Sequence, residues 1–331
     1  MAKSVSESVL PMAGRPQNSF NTGAILQAGY KRNLWNEVIK HKYLFLLLLP
    51  AIAWYVIFCY LPMYGTIIAF KEFNYSLGIL RSPWVGLKYF NMLFADPDFF
   101  RVFSNQLVIS ICMLITNFPI PIILSLMLNE IAQTKLKRFY QTVYTFPHFI
   151  SWVVVSALFF NLLSTNGAVN QLLSLFGLDG QNVLMTSSTF RPFLYFSNAW
   201  KEAGWGTIIY LAAITGVDPE LYQAAEVDGA DRWKQMLHIT WPGIRSTVSV
   251  LLVLQVGGIL SVGFDQILNL YNPIVMDTAD IIDTYVYRTA ILMGGNFSYT
   301  AALGLFKSVI TLIMIVSANF TVKRMGEEGI L

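Results

Sequence analysis

Hydrolysing a nucleotide, holding a metal and activating a nucleophile each require particular side chains close together, and these 331 residues offer none of those sets. A phosphate-binding loop needs glycines that turn backbone amides inward and a lysine for the outer phosphates; no Gly-Lys dipeptide occurs anywhere. His41, His148 and His238 are scattered, with no acidic or cysteine companion at ligand spacing, so no metal site is expected. Cys59 and Cys112 sit in apolar runs, where a thiol behaves as a small hydrophobe, and imply no disulfide framework. Neither catalysis nor a cofactor of its own is expected of this chain. What remains are ionisable groups inside otherwise apolar stretches: Lys201, Glu202, Asp265 and Lys307. Such groups face a bundle interior or a wet cavity. Asp265 and Lys307 either pair with one another, or Lys307 snorkels to the headgroups.

Those stretches define the architecture. Of the chain, 55% is hydrophobic and 12% charged, about half the charged share of roughly 25% found in soluble domains. About 20 apolar residues at ~1.5 Å rise cross a hydrocarbon core of about 30 Å, and six stretches qualify: 43–70, 106–128, 142–163, 192–214, 247–269 and 299–322. Lipid cannot satisfy a free backbone group, so the expected fold is all-α, with six transmembrane helices. Pro50 and Pro62 in the first stretch, and Pro119 and Pro121 in the second, remove backbone donors and should kink the helices. The loop 71–105, rich in aromatic residues, is expected to lie partly as an amphipathic helix on the membrane surface, and the three histidines are expected at interfaces.

An even number of spans puts both ends on one side. Fourteen Lys and Arg residues fall on that side against six on the other, so the positive-inside bias places both termini in the cytosol. The chain then divides into a cytosolic tail, 1–42, which carries no secretory-signal pattern, and a membrane domain, 43–331, with a cytosolic loop at 216–245. Nothing suggests nucleic acid.

The loop has helix signals of its own. Asp218 can cap, Pro219 fits the first turn and Glu220 suits the positive end of the dipole. A helix is predicted through Gln223, Ala224, Ala225 and Glu226 until Gly229 allows a sharp change of direction. Asp228 is expected to cap a second helix from Ala230 to about His238, with Ala230, Trp233 and Leu237 as a short apolar stripe beside Lys234, ending before Trp241 and Pro242. By periodicity alone this elbow suits a partner's groove or the lipid headgroups equally.

The spacing of Gln223-Ala224-Ala225, Gly229, Ile239, Trp241 and Pro242 resembles the EAA loop of ATP-binding-cassette importer permeases: Glu-Ala-Ala, three residues, Gly, nine residues, Ile, any residue, Leu-Pro. It departs at Gln223, where the family has Glu, and at Trp241, where it has Leu. Three further runs, 205–211, 256–266 and 278–288, are similar to the oligosaccharide and polysaccharide branch of the maltose-type permeases. The resemblance covers nearly all of the chain from Lys42. It implies the type I importer permease fold in a bacterial cell membrane and a loop that couples to an ATPase. The partners it implies are a second homologous permease forming a heterodimer, two cytosolic ATPases carrying ATP and Mg, and an extracytoplasmic solute-binding protein. A sugar oligomer would pass at the subunit interface.

Sugars offer hydroxyls to amides and charged groups and flat faces to aromatic rings. The candidate pathway residues are Asn161, Asn198, Trp200, Glu202, Trp205, Gln255, Asp265, Gln266 and Asn269. Two rival readings stay open: the same architecture with a non-sugar solute, or an ion-coupled secondary carrier. Secondary carriers usually show inverted repeats and helices broken at mid-membrane, and neither is evident in the sequence.

Overall fold

The structure, a computed structural model, describes residues 40–178, 180, 182–324 and 326, which fall into two units, 1–63 and 64–331. In the first unit, Lys42–Tyr55 is a helix with Pro50 inside it, followed by a π turn at Val56–Tyr60. Its apolar residues run around the whole circumference, the pattern of a helix surrounded by lipid or protein rather than water.

Among the described residues there are no strands, only an isolated bridge between Lys71 and Trp84. Five helical runs have the length and composition to cross a membrane: Lys42–Phe70, Pro97–Asn129, Trp152–Leu175, Arg232–Ser261 and Phe297–Arg324. The missing sixth is present as an unbroken helix, Ser187–Thr215, of 29 residues. It is more polar than the other five, and part of its circumference is turned toward other helices. Ser197, Lys201 and Thr207 on it are buried, and it packs against Pro97–Asn117, Pro119–Asn129, Thr134–Thr145 and Trp241–Gly258. Small residues permit the approach: a side chain at Gly204 would strike the Tyr144 carbonyl, and one at Gly206 would come within 3.0 Å of Pro121.

Three expected spans need correction. The second begins at Pro97, well before Gln106, and re-forms at Pro119 after Phe118, where the prolines occupy the first turn and leave no interior donor missing. The third is divided: an amphipathic helix, Thr134–Thr145, then a 3-10 turn at Phe146–Phe149, then Trp152–Leu163, capped by Ser151. The fifth is also broken. It stops at Ser261, turns through Gly263 with φ +87°, and restarts as Phe264–Leu270. This break is not evident in the sequence, since an apolar run conceals one made by a single glycine. The aromatic loop before the second span does contain an amphipathic helix, Lys88–Ala95, and its buried side joins the bundle. Tyr89 and Phe99 are buried in a core with Leu93, Val102, Tyr299 and Leu303, while Trp84 and Phe94 stay exposed.

Asp96 joins three elements there. Its carboxylate caps Pro97–Asn117 by accepting from the Asp98 amide at 2.9 Å, and takes hydrogen bonds from the Tyr285 hydroxyl at 3.1 Å and the Tyr299 hydroxyl at 2.7 Å. Burial pushes its pKa up, but those hydroxyls and the amides of Asp98 and Phe99 outweigh it and hold the carboxyl below its ordinary value. Asp96→Ala should cost about 0.5–2 kcal/mol for the cap, read as a lowered thermal unfolding midpoint of the purified protein. Because the folded pKa is depressed, this contribution is complete above the ordinary carboxylate value. The gap between wild type and variant should close as pH falls through the lowered one.

Candidate functional site

The loop after the central helix folds by local rules. Asp218 accepts from the Glu220 amide at 2.9 Å and starts Pro219–Val227, as predicted. Gly229 then adopts φ +76°. Its amide bonds to the Glu226 carbonyl at 3.1 Å, and the Ala230 amide reaches back to the Ala225 carbonyl at 2.9 Å. That is the Schellman closure, with glycine at the left-handed position. It explains the spacing from Ala225 to Gly229 in backbone terms: three residues separate the carbonyl that accepts the outer bond from the residue that must turn.

Two expectations about the loop fail. Asp228 closes the first helix instead of opening the second; Asp231 caps Arg232–Gln235, accepting from the Lys234 amide at 2.8 Å. Nor do Trp241 and Pro242 end the second helix. It widens into a π turn at Met236–Thr240 and runs on through Pro242 to Gly258. A proline inside a helix lacks a donor and crowds the carbonyl four residues back; the π turn lies over that stretch, with the imidazole of His238 directed to the Lys234 carbonyl at 3.0 Å. The two arms are braced where Tyr222 and Thr240 meet through their hydroxyls at 2.9 Å, and where Gln235 donates to the Ala230 carbonyl at 3.1 Å. Of the expected apolar stripe, Trp233 and Leu237 are exposed and Ala230 is half-buried; Val227 beside it is exposed as well. Ile239 is half-buried, and Gln223, Ala224 and Glu226 stand on the exposed helix.

A cavity of about 500 Å³ opens between the second, fourth and fifth spans, lined among others by Asn117, Asn198, Glu202, Trp205, Gln255 and Ile259. Four of the nine pathway candidates, Asn198, Glu202, Trp205 and Gln255, converge there. Behind the wall runs a chain of amides. Asn117 donates to Asn198 at 2.8 Å, Asn198 to Gln266 at 3.1 Å, and Gln266 to the Leu194 carbonyl at 2.8 Å and the Ser197 hydroxyl at 2.9 Å. Gln266 is thus a buried strut, not a wall residue. Asn161 and Asn269 spend their amides on their own helices, at Ala157 and Asp265. Trp200 meets Phe159 edge-on elsewhere. Asn117 escaped the sequence reading; its only signal is an amide placed in an apolar run two residues before Pro119.

His148 joins this site. It lies in the 3-10 turn of the third span, its ring stacked on Trp205 with centroids 4.6 Å apart and planes 6° from parallel. Its Nδ1 is 2.7 Å from Glu202, whose other oxygen accepts from Lys201 at 3.1 Å; Lys201 also donates to the His148 carbonyl at 2.9 Å. An ionised carboxylate only accepts, so toward an ionised Glu202 it is the Nδ1–H tautomer of His148 that donates. The charges of Lys201 and Glu202 are compensated on the spot, and Trp205 is held flat against a ring.

The anticipated pairing of Lys307 is corrected as well. Lys307 does not reach Asp265; it binds both oxygens of Asp283, at 2.6 and 2.7 Å. In that contact the Lys307 side chain is only 16% exposed. Asp280, fully buried, is held by Arg288 at 3.1 and 2.6 Å and by the Thr284 hydroxyl at 2.8 Å. Among the described residues no group of three metal-ligating side chains occurs.

Residues 117–327 match the family described as "Binding-protein-dependent transport system inner membrane component". The chain is 47% identical over 301 residues to the polygalacturonan/rhamnogalacturonan transport system permease protein YteP of Bacillus subtilis (strain 168), covering 91% of this chain and 94% of that one. It is 44% identical over 310 residues to Protein LplB of the same organism, covering 92% and 96%. Among solved structures it is similar to a bacterial ABC transporter involved in the import of the acidic polysaccharide alginate. The TM-score is 0.81 with 42% identity, over 88% of this chain and 98% of that one. A second structure of a bacterial alginate ABC transporter, in complex with an alginate pentasaccharide-bound periplasmic protein, gives a TM-score of 0.82 at 41% identity, over 90% and 99%.

Two substitutions test the geometry. Asp283→Asn strands the Lys307 ammonium and should lower stability by an amount bounded by the ~3–5 kcal/mol seen for broken buried pairs. Asp265→Asn should stay within about 0.5 kcal/mol; equal midpoints for the two would refute the pairing. Gly229→Ala meets no steric clash, but holding a side-chain residue at that φ costs about 1–2 kcal/mol. Faster hydrogen exchange at the Ala230 amide is the expected readout.

Proposed function

Because the chain belongs to the family of binding-protein-dependent transport system inner membrane components, we propose that it is the carbohydrate-conducting half of an importer whose energy arrives through the loop at 216–245. The chain is a multi-pass membrane permease and not an enzyme. Its cargo on this reading is an oligo- or polysaccharide fragment delivered by an extracytoplasmic binding protein, in keeping with the polygalacturonan/rhamnogalacturonan and alginate transport of its relatives. A second, homologous permease completes the pathway as a heterodimer. Two cytosolic ATPases bind the ATP and Mg that this chain has no loop to hold. Both termini and the loop lie on the cytosolic side, as the surplus of Lys and Arg there favours.

One observation carries the proposal: the loop and the cavity share a helix. The run Arg232–Ser261 is helical over 30 residues, about 45 Å at ~1.5 Å per residue. It begins at the elbow and ends with Gln255, Gly258 and Ile259 in the cavity wall. Closure of the ATPases pulls on the exposed arm Pro219–Val227. The Schellman turn, the Asp231 cap and the Tyr222–Thr240 contact stop the elbow from absorbing that displacement, so the helix carries it to the wall. The states differ in which side the cavity faces, and ATP shifts the population between them.

In the cavity, Trp205 offers a flat face to a sugar ring, while Asn117, Asn198, Glu202 and Gln255 offer acceptors and donors to its hydroxyls. In the assembled transporter, Trp205→Ala should lower uptake about fivefold, the equivalent of ~1 kcal/mol of lost stacking. ATP turnover without sugar should stay near wild type. A cysteine replacing Trp233 should crosslink to an ATPase subunit. Uptake that survives removal of 219–227, or an absent crosslink in the intact complex, counts decisively against the reading.

A further inference from the structure

The helix Thr134–Thr145 carries three cations in its first two turns, Lys135, Lys137 and Arg138. Among the described residues no carboxylate or other hydrogen-bond acceptor meets any of their side chains. The nearest acid in sequence, Glu130, is already engaged by Arg232 at 3.8 Å. On the same helix Leu136, Phe139 and Val143 recur at helical spacing and are exposed. The opposite side is packed: the Tyr144 carbonyl sits where a side chain at Gly204 of the central helix would be. One face therefore touches the bundle, a second is apolar and uncovered, and the cations gather at the N-terminal end, where the helix dipole is also positive.

From this arrangement we infer that the helix Thr134–Thr145 is a docking site for anionic phospholipid of the cytoplasmic leaflet, with Lys135, Lys137 and Arg138 binding the headgroup phosphate and Leu136, Phe139 and Val143 lying against the acyl chains. The inference rests on the cytosolic placement of this end of the bundle given above. A strongly amphipathic helix with low average hydrophobicity, its cations clustered at one end and Leu, Phe and Val along one face, is suited to the interface plane. Water would leave Phe139 unburied, and a zwitterionic surface would leave the three cations without net counter-charge. An anionic headgroup satisfies both faces at once. Because Tyr144 abuts Gly204, an occupied site also steadies the central helix that bears Glu202 and Trp205.

The test uses the complete transporter in nanodiscs of phosphatidylcholine with and without phosphatidylglycerol. Native mass spectrometry should find phosphatidylglycerol retained in preference to phosphatidylcholine, with retention weakened about fivefold for each cation neutralised. The variant K135Q/K137Q/R138Q should lose the preference and K135R/K137R should keep it, while K323Q/R324Q, basic but at another helix end, should leave it unchanged. A photoreactive residue replacing Phe139 should label acyl chains. Undiminished retention in the triple glutamine variant, or labelling of the second permease instead of lipid, overturns the inference. Binding-protein-stimulated ATP turnover by the wild type reports separately. Its presence alongside unselective lipid retention defeats only the lipid site, and its absence in both lipids defeats the importer reading.

Discussion

A bilayer offers no hydrogen-bond partner, and nearly every feature of this chain follows from that denial. Backbone groups must be satisfied within each segment, which makes helices the default. Side-chain charge must be compensated where it stands, because an isolated ion in low dielectric costs several kcal/mol. Lys201 is closed by Glu202 and the His148 carbonyl, Lys307 by both oxygens of Asp283, and Asp280 by Arg288 and Thr284. The Lys201 bond to the His148 carbonyl and the Lys307–Asp283 pair join segments that would otherwise be free to slide, so there the cost of burial is offset by register, while Asp280 and Arg288 close within one short stretch of chain.

The same denial explains why the most polar long helix is the central one. Ser187–Thr215 could not turn the side bearing Lys201, Glu202 and Asn198 to lipid. Neighbours shield it, and in doing so they turn its polar residues toward one another and toward a shared cavity. Breaks in other spans lie beside that helix or its partners. The turn at 146–149 places His148 against Trp205, and the turn at Gly263 restarts the chain so that Gln266 reaches Leu194 and Ser197. Irregular backbone inside a membrane is tolerated where protein or a cavity surrounds it, and both breaks meet that condition.

The loop works on a different principle. It lies among exposed residues, so its order comes from caps and a left-handed glycine, not from burial. Asp218, Asp231 and Gly229 each satisfy groups that a helix end leaves open. The departure at Trp241 is harmless to the elbow, since that residue starts a helical run already in progress. Gln223 likewise stands in mid-helix, away from every cap. Rigidity without a core suits an element that has to meet a partner and still transmit force.

What the sequence determined by itself is what is decided within four or five residues of chain. It set the long apolar helices, the Asp218 cap, the extent of Pro219–Val227 and the turn at Gly229, because caps, dipoles and periodicity act locally. It misled where a local sign was ambiguous: Asp228 and Asp231 both qualify as a cap, and a run of apolar residues reads alike whether continuous or broken at Gly263. Tertiary structure alone decided which polar groups meet. Lys307 finds Asp283 across 24 positions, Asn117 finds Asn198 across 81, and Asp96 finds Tyr299 across 203. Those separations are bridged by packing of whole helices, whose rotation about their axes selects one partner from several of similar chemistry. No pattern along the chain encodes that rotation.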